Sequence, residues 1–257
     1  MFRVLIACLL LLSAPANAQV PSNLADVELI PGWRKSDGIH VAGLSIRVAK
    51  GWKTYWRSPG DSGIPPRFNW SGSRNLSGAI VHFPVPQVFN DYGIRSIGYK
   101  DQVTFPIYFQ PQNPEKPILL NAEIEIGVCD EICVPVTLKL RASLPAEGKQ
   151  SANLKRLLQD QPRMMGAMRC SIEPIADGIR LITESRVGSI GAQEFAVVET
   201  GMQGVWVSEA ILTRRGDTLR AEVEMVPPTA RPFALARSDV RMTVLADGKA
   251  VELKGCE

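Results

Sequence analysis

Two cysteines separated by three residues, Cys129 and Cys133, are the side chains of this sequence best suited to chemistry. In a straight strand their Cα atoms would lie about 13 Å apart, whereas a disulfide needs roughly 4.4–6.8 Å. They can therefore bond only if Asp130–Ile132 forms a turn, which the apolar, strand-like runs on both sides favour. A disulfide that closes so short a ring adds little stability. Because local, exposed disulfides tend to be exchangeable, the spacing favours a redox role.

The same pair also fits a passive hairpin disulfide or half of a metal site. A zinc site would need two more ligands, and the two histidines of the chain, His40 and His82, are distant in sequence. We therefore predict no metal and no cofactor. The neighbouring carboxylates of Asp130 and Glu131 should raise the thiol pKa values, which would make the thiols poor attacking groups. The pair is better suited to being reduced by one specific partner and to reducing another.

Two further cysteines, Cys170 and Cys256, are far apart in sequence. A bond between them would tie the first strand of a second strand-rich region to its last. By the chain-entropy model, a disulfide that closes so long a loop contributes on the order of 4–5 kcal/mol. We therefore expect a structural disulfide, and a second redox relay is the alternative.

Three methionines, Met164, Met165 and Met168, precede Cys170. Thioether and thiolate sulfurs are soft ligands that suit Cu(I). A non-redox β-sandwich adaptor or copper-handling module, with purely structural disulfides, is therefore the alternative to a redox protein. Packing of the methionines against a domain is the simpler explanation.

The first 18 residues have the pattern of a cleaved secretory signal peptide. Arg3 supplies the positive charge, Val4–Leu12 is an unbroken apolar run, and Ala16–Ala18 is a small-x-small cleavage site. The run is about half of the ~20 residues that a membrane span needs, and Cys8 lies too early for a lipoprotein signal. We therefore expect export to a compartment in which disulfides persist, with four cysteines left in the exported chain.

Composition excludes several classes of protein. Of 257 residues, 45% are hydrophobic and 21% are charged, which is typical of a globular chain rather than a disordered one. The net charge of +3 is too small to indicate a nucleic acid or an anionic membrane as partner. No segment after the signal peptide is long and apolar enough to predict stable membrane insertion.

The pattern of short alternating or β-branched runs, separated by glycine, proline, asparagine and aspartate, predicts an all-β protein. Strands at this spacing without intervening helices favour antiparallel β-sandwiches over βαβ units. We predict one sandwich over residues 19–143 and a second over 166–257. Residues 144–165 should be a linker with one short helix, because Leu154, Leu157 and Leu158 share a helical face.

Four segments together resemble the N-terminal periplasmic domain of the DsbD/ScsB family of thiol:disulfide interchange proteins. They are the block Gly51–Pro66 (GWKTYWRSPGDSGIPP), Phe83–Pro86, Gly98–Tyr99 and Cys129–Pro135 (CDEICVP). The resemblance covers about residues 25–143. More weakly, residues 166–257 resemble the second β domain of the ScsB-like branch.

The resemblance implies an immunoglobulin-like sandwich in which Cys129 and Cys133 are the redox pair. In the family, this pair takes electrons from a membrane-embedded domain and passes them to periplasmic thioredoxin-like proteins. It also implies that Tyr99, with its neighbours from Tyr92 to Lys100, forms a loop that shields the pair. The aromatic side chains of the Gly51–Pro66 block are, by contrast, expected to be core residues.

The chain departs from the family pattern in three ways. It contains neither the multi-span membrane domain nor the C-terminal thioredoxin-like domain of many members, and its cysteine spacer is shorter than in the best-known DsbD type. We therefore expect a periplasmic component of a protein-disulfide reductase system that obtains electrons from a membrane-embedded disulfide reductase on a separate chain.

Overall fold

The computed structural model describes residues 24–91 and 93–257, in which two β-sandwiches follow one another along the chain. The expected signal peptide lies outside the described residues, as does Tyr92. The predicted all-β class with one short α-helix is confirmed. Among the residues that the structure describes, no helix has the length and apolarity that crossing a membrane requires.

The first sandwich consists of two antiparallel sheets. One has the strand order β1-β2-β8-β5, and the other has the order β10-β9-β3-β7-β6 with β4 paired to β9. The strands are β1 (Ala25–Arg34), β2 (His40–Val48), β3 (Lys53–Tyr55), β4 (Arg67–Asn69), β5 (Gly78–Val81), β6 (Gln87–Asp91), β7 (Ile94–Lys100), β8 (Gln102–Gln110), β9 (Ile118–Cys129) and β10 (Cys133–Leu144).

Strand β9 shows why these residues form a sandwich. Its residues alternate between the core and the solvent, with Ile124 and Ile126 buried and Glu123 and Glu125 exposed. A strand places successive side chains on opposite faces, so this alternation buries one face of the sheet. The alternation ends near Cys129, where four consecutive residues are buried. Cys129 therefore lies where β9 is covered on both faces.

The second sandwich also has two sheets, with the orders β11-β19-β18-β14 and β12-β13-β17-β15, and β16 pairs with β17. Its strand pairs are antiparallel except that Arg163–Met164, within the predicted linker, runs parallel to β19, and an isolated bridge between Met168 and Cys256 is also parallel. The strands are β11 (Arg163–Met164), β12 (Arg169–Ile175), β13 (Gly178–Arg186), β14 (Phe195–Glu199), β15 (Trp206–Val207), β16 (Ile211–Arg215), β17 (Thr218–Val226), β18 (Arg241–Ala246) and β19 (Lys249–Lys254). A short 3-10 helix spans Arg237–Asp239.

The short helix α1 (Ala152–Gln159) packs against the first sandwich. Ser151 caps its N-terminus by accepting a hydrogen bond of 3.3 Å from the backbone nitrogen of Leu154. The Leu154 side chain is fully buried against Trp33 and Val41 of the first sheet. The connection between the domains is therefore attached to the first domain rather than free in solvent.

The sheet that contains β14 is buried on both faces. Ala196 and Val198 point into the second core, whereas the alternate residues Phe195 and Val197 pack against the first core. Leu245 of β18 also packs against the first core. The two sandwiches are thus joined by an apolar interface, which the sequence analysis did not predict.

Candidate functional site

The cysteine pair closes the end of the β9–β10 hairpin. Cys129 is the last residue of β9, Cys133 is the first of β10, and the two are direct cross-strand partners with Cα atoms 4.2 Å apart. Asp130–Ile132 forms the turn between them, with the Asp130 nitrogen donating to the Ile132 carbonyl at 3.2 Å. The structure thus contains both the disulfide and the turn that its formation requires.

The two sulfur-bearing residues differ in exposure. Cys129 is only 1% exposed and lies among buried residues, whereas Cys133 is exposed. Next to it in the turn, Ile132 is 68% exposed. A second protein can therefore reach the disulfide from the side of Cys133 but not from the side of Cys129.

Tyr55 lies against both sulfurs. It ends strand β3, whose Lys53 pairs with Cys129, and its hydroxyl donates to Cys129 Sγ at 2.8 Å and lies 3.1 Å from Cys133 Sγ. The residue is 1% exposed. Burial, and secondarily the negative charge of Asp91, raises the pKa of Tyr55 above 10. The phenol therefore keeps its proton at neutral pH and remains a hydrogen-bond donor.

Two glycines leave room for the Tyr55 ring. A Cβ on Gly63 would lie 2.9 Å from one edge of the ring, and a Cβ on Gly127 would lie 3.0 Å from the other. Both distances are too short for ordinary van der Waals contact. The glycines therefore form a narrow slot that orients the hydroxyl towards the disulfide.

Residues 57–63, here called the active-site loop, connect β3 to the region of the disulfide. The Ser62 carbonyl oxygen is 3.9 Å from Cys133 Sγ. The loop is tied to β7, since the nitrogen of Ile97 donates to the Pro59 carbonyl at 3.0 Å. Just before the loop, Trp56 is fully buried, as expected for an aromatic residue of this block.

Tyr99 occupies a different place from the one that the resemblance implied. It lies on β7 with its side chain in the first core, where its hydroxyl donates to the Pro84 carbonyl at 2.8 Å and its ring packs edge-on against Phe105. The tyrosine on the sulfurs is Tyr55, which the sequence analysis had placed among the core residues. Both tyrosines belong to segments that carry the family resemblance, so the resemblance alone did not distinguish them.

The hairpin of β6 and β7 lies beside the site. Asp91, at its end, forms an ion pair with Lys53, the residue that pairs with Cys129. Lys53 also lies over the Phe89 ring, 5.3 Å from its centre. Of the segment implied to shield the disulfide, Lys100 pairs with the same Lys53 and Tyr92 is outside the described residues, so the shielding role stays a prediction.

The remaining predicted residues are placed as follows. Asp130 and Glu131 are exposed in the turn. Cys170 of β12 is bonded to Cys256, which follows β19, with Cα atoms 5.3 Å apart, so this disulfide joins the two sheets of the second sandwich.

The three methionines of the sequence analysis differ in burial. Met168 is buried in the second core, so packing explains its position. Met164 and Met165, in contrast, are exposed.

Comparison with known proteins agrees with this geometry. Residues 26–145 match the family model described as thiol:disulfide interchange protein DsbD, N-terminal. The matched residues cover the strands of the first sandwich, apart from Ala25, and both cysteines of the pair. The resemblance stated from the sequence is therefore confirmed, and the site described above lies within this DsbD-type domain.

Among solved structures, the chain is similar to the crystal structure of the N-terminal periplasmic domain of ScsB from Proteus mirabilis. The two are 24% identical, 95% of each chain is covered, and the TM-score is 0.66. This likeness extends the shared fold beyond the DsbD-type domain to the second sandwich. A comparison with curated proteins found no match.

Proposed function

We propose that this protein is a periplasmic thiol–disulfide exchange protein that works through Cys129 and Cys133. It would accept electrons from a membrane-embedded disulfide reductase on a separate chain and pass them to thioredoxin-like proteins. The match to the DsbD N-terminal family model supports the chemistry. The similar ScsB domain is named as periplasmic, which supports the location together with the signal-peptide pattern.

The observation that carries the proposal is the asymmetry of the disulfide. Cys133 is exposed, while Cys129 is 1% exposed and hydrogen-bonded to Tyr55. In thiol–disulfide exchange a thiolate attacks one sulfur and expels the other. Cys133, the exposed residue of the pair, is therefore the cysteine attacked, and Cys129 is the leaving group.

Reduction of the pair follows in two steps. A donor thiolate attacks Cys133 Sγ, which forms a mixed disulfide and releases Cys129 as a thiolate. The second donor thiolate then attacks the donor sulfur of the mixed disulfide and releases Cys133. Two electrons pass to this protein, its two sulfurs take up two protons from solvent, and the donor is left as a disulfide.

Delivery of electrons reverses these steps. Cys133, as a thiolate, attacks the disulfide of a thioredoxin-like partner, and the partner's second sulfur leaves as a thiolate. Cys129 then loses its proton and attacks Cys133 Sγ, which restores the Cys129–Cys133 disulfide and releases the reduced partner.

Tyr55 stabilises the leaving group in the first direction. The hydrogen bond from its hydroxyl to Cys129 Sγ is 2.8 Å long. This bond becomes stronger when the sulfur becomes negative, because hydrogen bonds to ionised acceptors are stronger than those to neutral ones. A better-stabilised thiolate leaves faster. Since the pKa of Tyr55 is raised, the phenol does not lose its own proton in the process.

Trapping of the mixed disulfide tests the proposal. A Cys129→Ser variant keeps the exposed Cys133 but lacks the resolving sulfur, so it should accumulate a covalent complex with an oxidised periplasmic thioredoxin-like protein. The Cys133→Ser variant serves as the matched control and should accumulate little complex, because Cys129 is buried. Equal trapping by both variants, or none by either, would overturn the proposal.

A further inference from the structure

The active-site loop lies between the disulfide and the second domain. On its inner side, the Ser62 carbonyl is 3.9 Å from Cys133 Sγ, and Gly63 borders the Tyr55 ring. On its outer side, Arg57 and Asp61 extend side chains to the second sandwich. A displacement of the loop on one side therefore changes the surroundings of the sulfurs on the other.

Arg57 anchors the start of the loop to the sheet that contains β14. Its guanidinium nitrogens donate to both carboxylate oxygens of Glu199, at 2.9–3.2 Å, and to Glu252 at 2.6 Å. The same group stacks on the Trp56 ring, 4.1 Å from its centre. Arginine is suited to such two-pronged, stacked pairing. The anchor is partly buried and holds the loop where it leaves β3.

Asp61 and Trp206 form a second, outer contact. The indole nitrogen of Trp206 donates to Asp61 Oδ1 at 2.9 Å, one residue before the Ser62 carbonyl that faces Cys133. Trp206 is a large apolar residue that is nevertheless 47% exposed, so packing alone does not explain its position. The hydrogen bond places the second domain next to the exposed end of the disulfide.

Between these two contacts the loop is not close-packed against the second domain. A cleft of about 380 Å³ separates them, lined by the loop from Arg57 to Asp61 and by residues 195–203 and 205–209. On the side of the second domain, the loop is therefore held by a few polar contacts at the rim of this cleft, and loss of one of them leaves residues 60–62 room to move away from the sulfurs.

We propose that the second domain holds the active-site loop against the disulfide, with Trp206 as a positioning residue that acts through Asp61. The inference deepens the proposed function and rests on it, since it assigns the second domain a part in exchange at Cys133. When the Trp206–Asp61 bond is lost, the Ser62 carbonyl moves away from Cys133, and the disulfide is more readily attacked.

Reduction kinetics of the full exported chain test this with dithiothreitol as the probe. Trp206→Phe keeps an aromatic ring but removes the donor, and Asp61→Ala removes the acceptor. Each should accelerate reduction of the Cys129–Cys133 disulfide by roughly two- to tenfold, which is what a hydrogen bond of this kind contributes to an equilibrium. Combining them should add no further acceleration, because both remove the same bond.

Two further variants separate positioning from a general loosening of the structure. Asp61→Asn retains an acceptor oxygen and should reduce at nearly the wild-type rate. Glu209→Gln removes another contact between the domains, the exposed Arg95–Glu209 ion pair at 3.7 Å, which does not involve a side chain of the loop. It should leave the rate unchanged. Trp206→Phe should lower the stability by no more than one hydrogen bond contributes, about 1 kcal/mol, and should still unfold in one thermal transition.

Wild-type rates in both Trp206→Phe and Asp61→Ala would overturn the inference, as would equal acceleration in Glu209→Gln. Because dithiothreitol needs no protein partner, these outcomes are independent of the trapping experiment. Failure to trap a thioredoxin-like protein would refute the proposed function while leaving the kinetic effect of the loop measurable.

Discussion

The hydroxyl of Tyr55 donates a hydrogen bond of 2.8 Å to Cys129 Sγ, the buried sulfur of the disulfide. The ring that carries this hydroxyl is held between Gly63 and Gly127. The hydrogen bond is therefore already in place before exchange begins. An oriented donor beside a sulfur that becomes negative during exchange lowers the free energy of that intermediate.

Replacement of Tyr55 by phenylalanine should raise the pKa of the Cys129 thiol by about 0.7, since a hydrogen bond is worth about 1 kcal/mol and 1.36 kcal/mol corresponds to one pKa unit. Reduction of the disulfide should slow several-fold because the leaving thiolate is less stable. The ultraviolet absorbance of the thiolate against pH, measured in a Cys133→Ser background, checks the first effect.

Tyr99→Phe is the matched control for this experiment. It removes a hydroxyl from the same sheet, but one that donates to the Pro84 carbonyl in the core. It should cost about 1 kcal/mol of stability and leave reduction unchanged. Equal slowing in the two variants would show that the hydroxyl of Tyr55 has no particular role.

Neutralisation of the turn should make the freed thiols more acidic. In Asp130→Asn/Glu131→Gln, removal of two negative charges near Cys133 favours its thiolate. Both side chains are exposed, so screening by solvent limits the fall in thiol pKa to about 0.3–0.5 for each charge. Alkylation rates of the reduced protein against pH measure this shift, with the distant, exposed Asp177→Asn as control. A thiol pKa that stays constant or rises would refute the electrostatic argument.

The two disulfides should be reduced in sequence. Cys129–Cys133 closes a short ring and has one exposed residue, whereas Cys170–Cys256 joins two sheets across 86 residues and packs against the second core. Increasing concentrations of dithiothreitol, followed by alkylation and peptide mass analysis, should therefore open the first pair before the second. Simultaneous opening would contradict the assignment of separate roles.

The Cys170–Cys256 disulfide should contribute stability but no exchange chemistry. Replacement of both cysteines by serine should lower the free energy of unfolding of the second domain by about 4–5 kcal/mol, from the loss of loop closure. Urea denaturation measures this loss. Thiol exchange at the other pair, assayed below the unfolding transition, should remain at the wild-type rate, and a loss of exchange there would indicate a second relay.

Stability should also fall with acid because of His40, which is fully buried on β2 with Nε2 2.5 Å from the Pro31 carbonyl. Burial lowers its pKa below the usual 6.5. The unfolded chain therefore binds a proton that the folded one does not, and stability is lost as pH falls below about 6.5. His40→Gln can still donate to the carbonyl but does not titrate, so its urea midpoint should depend less on pH between 7.5 and 5. An unchanged slope would exclude His40 as the cause.

The hairpin of Cys129 and Cys133 is a feature that could be predicted from the sequence. Whether two residues four apart can bond depends on the turn between them, and turns are local, so the sequence was sufficient to predict the geometry. The same holds for the strands, because alternation along β9 reflects which face is buried. The short helix was also predictable, since Leu154, Leu157 and Leu158 recur with helical spacing.

The choice between Tyr55 and Tyr99 was not predictable in this way. Both tyrosines lie in segments that resemble the family, and both are buried. Which hydroxyl reaches the sulfurs depends on the face of the sheet to which each strand turns its tyrosine, and that depends on pairing among β3, β7 and β9. Pairing between strands far apart in sequence leaves no local pattern.

By itself, then, the sequence determined the all-β class, the redox-suited cysteine pair and the family, because alternation, ring closure and motif spacing are properties of neighbouring residues. The tertiary structure alone decided which cysteine is exposed, which tyrosine contacts the two sulfurs, and that Trp206 binds Asp61 beside the active site. These depend on contacts between residues as far as 145 positions apart, and such contacts exist only once both sandwiches have folded and packed together.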